Sequence, residues 1–254
     1  MKRISNNQNN YWIFGKHAVL AAVSNKDRKI LTILVENNNY SLEKELLTIN
    51  KNIKKVLKKS NRHYIESKVG KNTKHQGVAM LTKKLLIESY DENLFKKNFK
   101  FGLLLEKITD PNNVGAIYRA AYSFNVDFII TLDNGSRRES PMLLNSSCGS
   151  FDNMSSFSAV NSVTCINNFK KNGWWVLGAE KNGNLSILEI QKKINKLDKI
   201  LLVLGSEGSG LKRLTKKNCD FLVNIPIRKT FDSLNVSNAA AIFFYEIHNL
   251  RSKK

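Results

Sequence analysis

Two hydrophobic periods alternate along the chain. Apolar residues recurring every three or four positions predict amphipathic helices, and short continuous apolar runs bounded by turn residues predict strands buried on both faces. From Tyr11 to about Leu81, "GKHAVLAAVSN" carries the helical period, "KILTILVE" reads as a strand, "SLEKELLTINKNIKKVLKKS" as helical throughout, and "HQGVAMLT" as a closing strand. The charged, turn-poor stretch "KKLLIESYDENLFKKNFK" then suits a connector. Beyond it come the strand "FGLLLEKI" at 101–108, the helix "NVGAIYRAAYSF" and the strand "DFIITLD". A Ser/Asn-rich segment at 133–158 follows, then the strands "WWVLGAE", "KILLVLG" and "FLVNIP" and a final helix "VSNAAAIFFYEIHNLR". Such alternation predicts an α/β fold around a parallel sheet covered on both faces. The organisation expected is a polar tail at 1–10, a small α/β domain at 11–82, a linker at 83–99 and a larger α/β domain at 100–254.

Composition adds a partner to this picture. Of the 254 residues, 42% are hydrophobic, ample for a core, and the formal net charge is +20. Residues 1–99 carry a net +12 and residues 100–254 a net +8, so both halves are basic and the first is the denser. A field of this sign favours a polyanion, although a lysine-rich solvated surface would also produce it. Cys148, Cys165 and Cys219 are odd in number and widely spaced, which fits neither a disulfide framework nor a zinc site. The opening "MKRISNNQNNYWIFG" lacks the apolar core of a signal peptide, and no segment approaches membrane-spanning length. The expectation is a soluble protein of the reducing cytoplasm with no membrane partner and no metal.

"LLVLGSEGSGLKR" at 201–213 has the look of a nucleotide loop, and spacing tests that. Gly205 and Gly210 are spaced as in a P-loop, but Leu211 stands where the lysine belongs and no Ser or Thr follows to hold magnesium. The order G-x-x-G-x-G is likewise not the dinucleotide fingerprint G-x-G-x-x-G. Two further segments sit at strand exits, where open α/β sheets place ligands. "TDPNNVGAIYRAA" at 109–121 joins a Pro/Asn turn to a helix and puts Arg119 among small and apolar neighbours. An arginine in such company is costly to bury without a partner. "IPIRKTFDSLNVSNAAAI" at 225–242 leads through a basic loop into an Ala-rich helix that Ser233 or Asn235 could cap.

Each segment alone is weak; in this order and spacing they resemble the SpoU (TrmH-like) branch of the SPOUT RNA 2′-O-methyltransferases. Within that branch the chain is most similar to the 23S rRNA guanosine 2′-O-methyltransferases. "DPNNVGAIYRAA", "LVLGSEGSGL" and "IPIRKTFDSLNVSNAAAI" match the family's three motifs. The N-terminal unit, from "FGKHAVLAAV" to "HQGVAM", resembles its ribosomal-protein-like RNA-binding domain.

The resemblance implies a knotted parallel-sheet methyltransferase domain, S-adenosylmethionine as cofactor, RNA as partner and a homodimer. It assigns cofactor contacts to Gly205, Ile225 and Leu234, and catalytic roles to Arg119, Asn113, Glu207, Ser233 and Asn235, with Glu207 able to orient Arg119. His75 is expected to be a local structural or RNA contact. Between 136 and 158 the chain departs from the family pattern: Phe151 and Asp152 replace small residues in a segment expected to border the substrate. A tRNA 2′-O-methyltransferase and a non-catalytic ribosome-assembly protein of the same fold are the competing readings.

Overall fold

The structure, a computed structural model, describes residues 10–132, 139–193, 198–228, 230 and 232–252. The polar tail up to residue 9, and Lys229 and Phe231 of the third motif, lie outside them. In chain order the elements are β1 (Asn10–Phe14), α1 (Lys16–Ser24), β2 (Ile30–Glu36), α2 (Tyr40–Ile49), β3 (Leu57–Ser60), α3 (Arg62–Val69) and β4 (Val78–Lys83). Then follow α4 (Asn93–Lys96), β5 (Phe101–Leu105), α5 (Pro111–Ser123), β6 (Phe128–Leu132), α6 (Pro141–Ser147), α7 (Ser150–Asn153), β7 (Ser155–Ala159) and α8 (Ser162–Lys171). The chain closes with β8 (Trp175–Ala179), β9 (Leu185–Ser186), α9 (Ile190–Lys193), β10 (Ile200–Leu204), α10 (Arg213–Asn218), β11 (Phe221–Asn224) and α11 (Val236–Ser252). The described residues form two compact units, one of those up to 86 together with 139–153, the other of those from 87 to 132 and from 154 onward.

The first unit is a four-stranded sheet in the order β1-β4-β2-β3, antiparallel except between β2 and β3. Asn39 and Asn61 cap α2 and α3, their side chains accepting the Leu42 and Tyr64 N–H groups. The helix expected over 41–60 ends at Ile49. Leu42 and Leu46 bury on one face, but the next position in that period is Asn50, which instead caps a 3-10 turn over Lys51–Lys55. After the turn, "LKKS" pairs with β2 as an edge strand, the available partner overriding helix propensity.

Residues 139–153, taken in sequence as part of the larger domain, pack in this first unit. The turn joining α6 to α7 runs through Cys148 (φ 50) and Gly149 (φ 90). A Cβ at Gly149 would stand 2.7 Å from both the Ala21 methyl and the His17 carbonyl oxygen, so only glycine lets this turn lie against α1. Buried beside it, Arg28 donates from Nε to Asp152 Oδ1 (2.7 Å) and from Nη2 to Asp152 Oδ2 (3.1 Å). Arg28 also pairs with Glu139 and donates to the Tyr11 hydroxyl (2.9 Å), which in turn donates to Glu139. Asp152, a departure from the family pattern, is thus one half of a buried fork-to-fork ion pair.

The second unit is a seven-stranded sheet in the order β7-β6-β5-β10-β8-β11-β9, every neighbouring pair parallel. Every residue of β5, β6 and β10 is buried, as strands covered on both faces require. The stretch from Ile87 onward, expected as connector, belongs to this unit: Leu94 is buried in its core, and Tyr90, Phe95 and Phe99 pack against it. β7 and α8 are not expected from the pattern: both are Ser- or Asn-rich, and the buried Cys165, Ile166 and Phe169 of α8 lie among polar neighbours. The strand order turns back between β5 and β10. Their register pairs Leu105 with Leu204, so the loops after both strands leave the sheet side by side.

Candidate functional site

At the end of β10 the chain makes a tight hairpin. Ser206 donates to the Gly210 carbonyl (3.2 Å) and Gly210 returns a bond to Ser206 (3.0 Å). A Cβ on Gly205 would sit 2.3 Å from the Gly210 carbonyl carbon, and Gly210 itself has φ +64. The need for glycine at 205 therefore comes from closure of its own loop. Beyond it, Lys212 stands at the N-cap of α10.

The loop is anchored from below by Glu106, the first residue after β5 and 1% exposed. Its Oε2 accepts the Lys212 N–H (3.0 Å). Its Oε1 accepts the hydroxyls of Ser162 (2.7 Å) and Thr215 (2.8 Å). The buried carboxylate is thereby hydrogen-bonded on both oxygens, as burial of such a group demands. It joins the ends of β5, α8 and α10 at one point.

Above the anchor is an open cavity at the strand ends. Its wall combines apolar Leu204, Val236, Ala239 and Phe243 with polar Glu180, Lys181 and Ser206. Gly205, Ile225 and Leu234, the three expected cofactor contacts, all line it, as do Glu207 and Ser233. Asn113 and Asn235 join through hydrogen bonds. Asn113 Nδ2 donates to Glu207 Oε1 (2.6 Å), and Asn235 Nδ2 donates to Asn113 Oδ1 (3.0 Å). The other end of Asn235 caps α11, its Oδ1 accepting the Ser237 N–H (2.8 Å) and hydroxyl (2.6 Å). Asn235 is thus both a helix cap and a link in a chain that ties the three motifs together.

Arg119 is exposed on α5, outside the cavity wall. Glu207 Oε1 accepts from the Asn113 side-chain amide. His75 is buried in the first unit, its Nδ1 accepting the Gly77 N–H (3.1 Å). Sequence reasoning missed Glu106 and Glu180, although each is a lone carboxylate closing a long apolar run, in "FGLLLE" and "WWVLGAE". Burial pushes the Cys165 and Cys219 thiols up to about 12, so neither offers a thiolate near neutral pH. Among the described residues, no group of three or more His, Cys, Asp or Glu is placed to hold a metal ion, and no helix is long and apolar enough to cross a membrane.

Comparison with known proteins bears on this arrangement. Residues 100–245 match the family described as SpoU rRNA Methylase, and residues 12–86 match that described as RNA 2'-O ribose methyltransferase substrate binding. A 23S rRNA (guanosine-2'-O-)-methyltransferase, RlmB, of Coxiella burnetii is 32% identical over 94% of this chain and 95% of its own length. A protein of Borreliella burgdorferi described as a tRNA/rRNA methyltransferase is 36% identical over 71% of this chain and 82% of its own. The SpoU methyltransferase AviRb of Streptomyces viridochromogenes, solved with AdoMet, shares the fold with a TM-score of 0.76 at 20% identity. That alignment covers 96% of this chain and 91% of AviRb.

Proposed function

Because the chain belongs to the SpoU rRNA methylase family, we propose that it methylates a ribose 2′-hydroxyl of 23S rRNA, at a guanosine, using S-adenosylmethionine. One observation carries the reading: three motifs separated by up to 122 positions meet at one cavity through the Glu207–Asn113–Asn235 chain.

The cavity fits the cofactor chemically. Its apolar wall of Leu204, Val236, Ala239 and Phe243 suits an adenine and the carbons around a sulfonium, and Glu180, Lys181 and Ser233 suit the polar groups of a nucleoside and an amino acid. Gly205, Ile225 and Leu234 would hold it. When bound, S-adenosylmethionine supplies an electrophilic methyl group. The chain's own contribution is alignment, worth roughly 7–11 kcal/mol in the best intramolecular cases, and assistance to loss of the hydroxyl proton.

Asn113 and Asn235, each fixed at both ends, present polar groups that do not have to reorganise during the reaction. Ser233 adds a hydroxyl at the same wall. A guanidinium offers five donors and no acceptor, so Arg119 is no general base. Its role is to grip a phosphate of the RNA and stabilise the oxygen as negative charge develops. The proton passes to phosphate or water.

Exposed Tyr122, Ile242 and Tyr245 on α5 and α11 support a homodimer. Family membership supports a trefoil knot in the second unit and a cytoplasmic setting.

The test is transfer of label from radioactive S-adenosylmethionine to rRNA from cells lacking this gene, with Arg119→Ala in parallel and the alkali-resistant site mapped. Label at one 23S guanosine, lost in the variant, is the expected result. Label on tRNA alone would redirect the substrate. Absence of cofactor binding would favour the non-catalytic assembly role.

A further inference from the structure

Between Tyr40 and Ser60 the chain places six lysines against two glutamates, and all six lysines are exposed. Three of them, Lys44, Lys51 and Lys54, line one shallow groove along α2 together with Tyr40 and Glu43. Tyr40 stands at the first position of that helix with 64% of its surface exposed. It contributes nothing to the cap, which Asn39 supplies. The Lys59 ammonium lies 4.1 Å from its ring centroid and 3.1 Å from Glu43 Oε2, so the exposed ring already carries a cation against its π-system.

Lysines on an edge strand commonly guard against unwanted strand pairing, and that accounts for Lys58 and Lys59 on β3. It does not account for Lys44, Lys51 and Lys54, which lie off the strand, nor for an exposed tyrosine beside them. An aromatic face flanked by cations in a groove is the chemistry that recognises single-stranded nucleic acid. The bases have π-faces to stack, the backbone has phosphates to neutralise, and a paired duplex would keep its bases out of reach.

We propose that this groove of the N-terminal unit grips an unpaired segment of the RNA, with a base stacked on Tyr40 and phosphates on Lys44, Lys51 and Lys54. The proposal rests on the RNA-substrate reading and assigns it a surface.

Fluorescence anisotropy of the full-length protein with labelled oligouridine, and with a 23S rRNA transcript, tests it across a salt series. Lys44→Gln/Lys51→Gln/Lys54→Gln should reduce the slope of log K against log salt by about 2, from roughly 0.7 per single-strand phosphate contact. Tyr40→Ala should weaken binding by roughly 5- to 150-fold, the range expected for one stacked base, while Tyr40→Phe retains it. Calorimetric affinity for S-adenosylmethionine should stay at the wild-type value in all of these variants. Groove variants that bind both RNAs as the wild type does, or a Lys171→Gln/Lys217→Gln control that loses as much slope per charge, would overturn the site and leave the RNA reading intact. A wild-type protein that binds neither RNA would overturn both.

Discussion

Removal of the Glu106 carboxylate should unfasten the hairpin that shapes the cavity. In Glu106→Ala the partly buried Lys212 N–H loses its charged acceptor, a loss of about 1–3 kcal/mol. The Ser162 and Thr215 hydroxyls lose their charged acceptor but lie 3.0 Å apart and can bond each other, so they recover part of the cost. With the vacated side-chain volume the total comes to about 3–5 kcal/mol. At ~2–4 °C per kcal/mol for a chain of this size, the melting temperature should fall by roughly 6–20 °C.

Glu106→Gln discriminates the mechanism from simple loss of volume. Its amide oxygen can still accept from Lys212, and its NH2 can donate to the two hydroxyls, which rotate to accept. It should melt within a few degrees of the wild type. Thermal denaturation and calorimetric titration with S-adenosylmethionine together read the effect. The alanine variant should bind the cofactor at least 10-fold more weakly, because Gly205 and Glu207 ride on the loop that Lys212 ends. An alanine variant that melts within 2 °C of the wild type and binds the cofactor equally well would refute the reasoning.

Gly205→Ala should abolish detectable cofactor binding by calorimetry, since a methyl group 2.3 Å from the Gly210 carbonyl carbon forces the hairpin open. Arg28→Ala leaves two buried carboxylates, Glu139 and Asp152, without their cation, and chemical denaturation should show a loss of about 3–5 kcal/mol. Burial raises the Glu139 carboxyl above the usual range, against the lowering pull of Arg28, the Tyr11 hydroxyl and the Leu85 N–H. A raised carboxyl contributes stability while protonated and loses it as pH rises through its folded-state value. Glu139→Gln should therefore gain on the wild type in denaturation midpoint between pH 5 and pH 8; a gap that does not change with pH would refute this.

The segment 139–153 shows how a local departure can have a global cause. Asp152 and Phe151 look anomalous beside the family pattern. In the fold, Phe151 is buried, and Asp152 answers Arg28, 124 positions earlier in the chain. Neither residue carries a signal of this in its own neighbourhood.

Much of the rest was legible because local physics decides it. The continuous apolar runs of β5, β6 and β10 admit one placement, between two covering layers, and the helical periods of α1, α5 and α11 survive into the structure. The three glycine- and asparagine-bearing exits could likewise be picked out as site segments from the chain alone. What local physics could not decide was any outcome set by a distant partner. β3 is a strand because β2 offers it hydrogen bonds, and Gly205 must be glycine because residues 210 and 211 fold back on it. Asn113 serves Glu207 and Asn235 because β5 and β10 are neighbours in the sheet, an adjacency that pairing register creates and no single stretch of sequence contains.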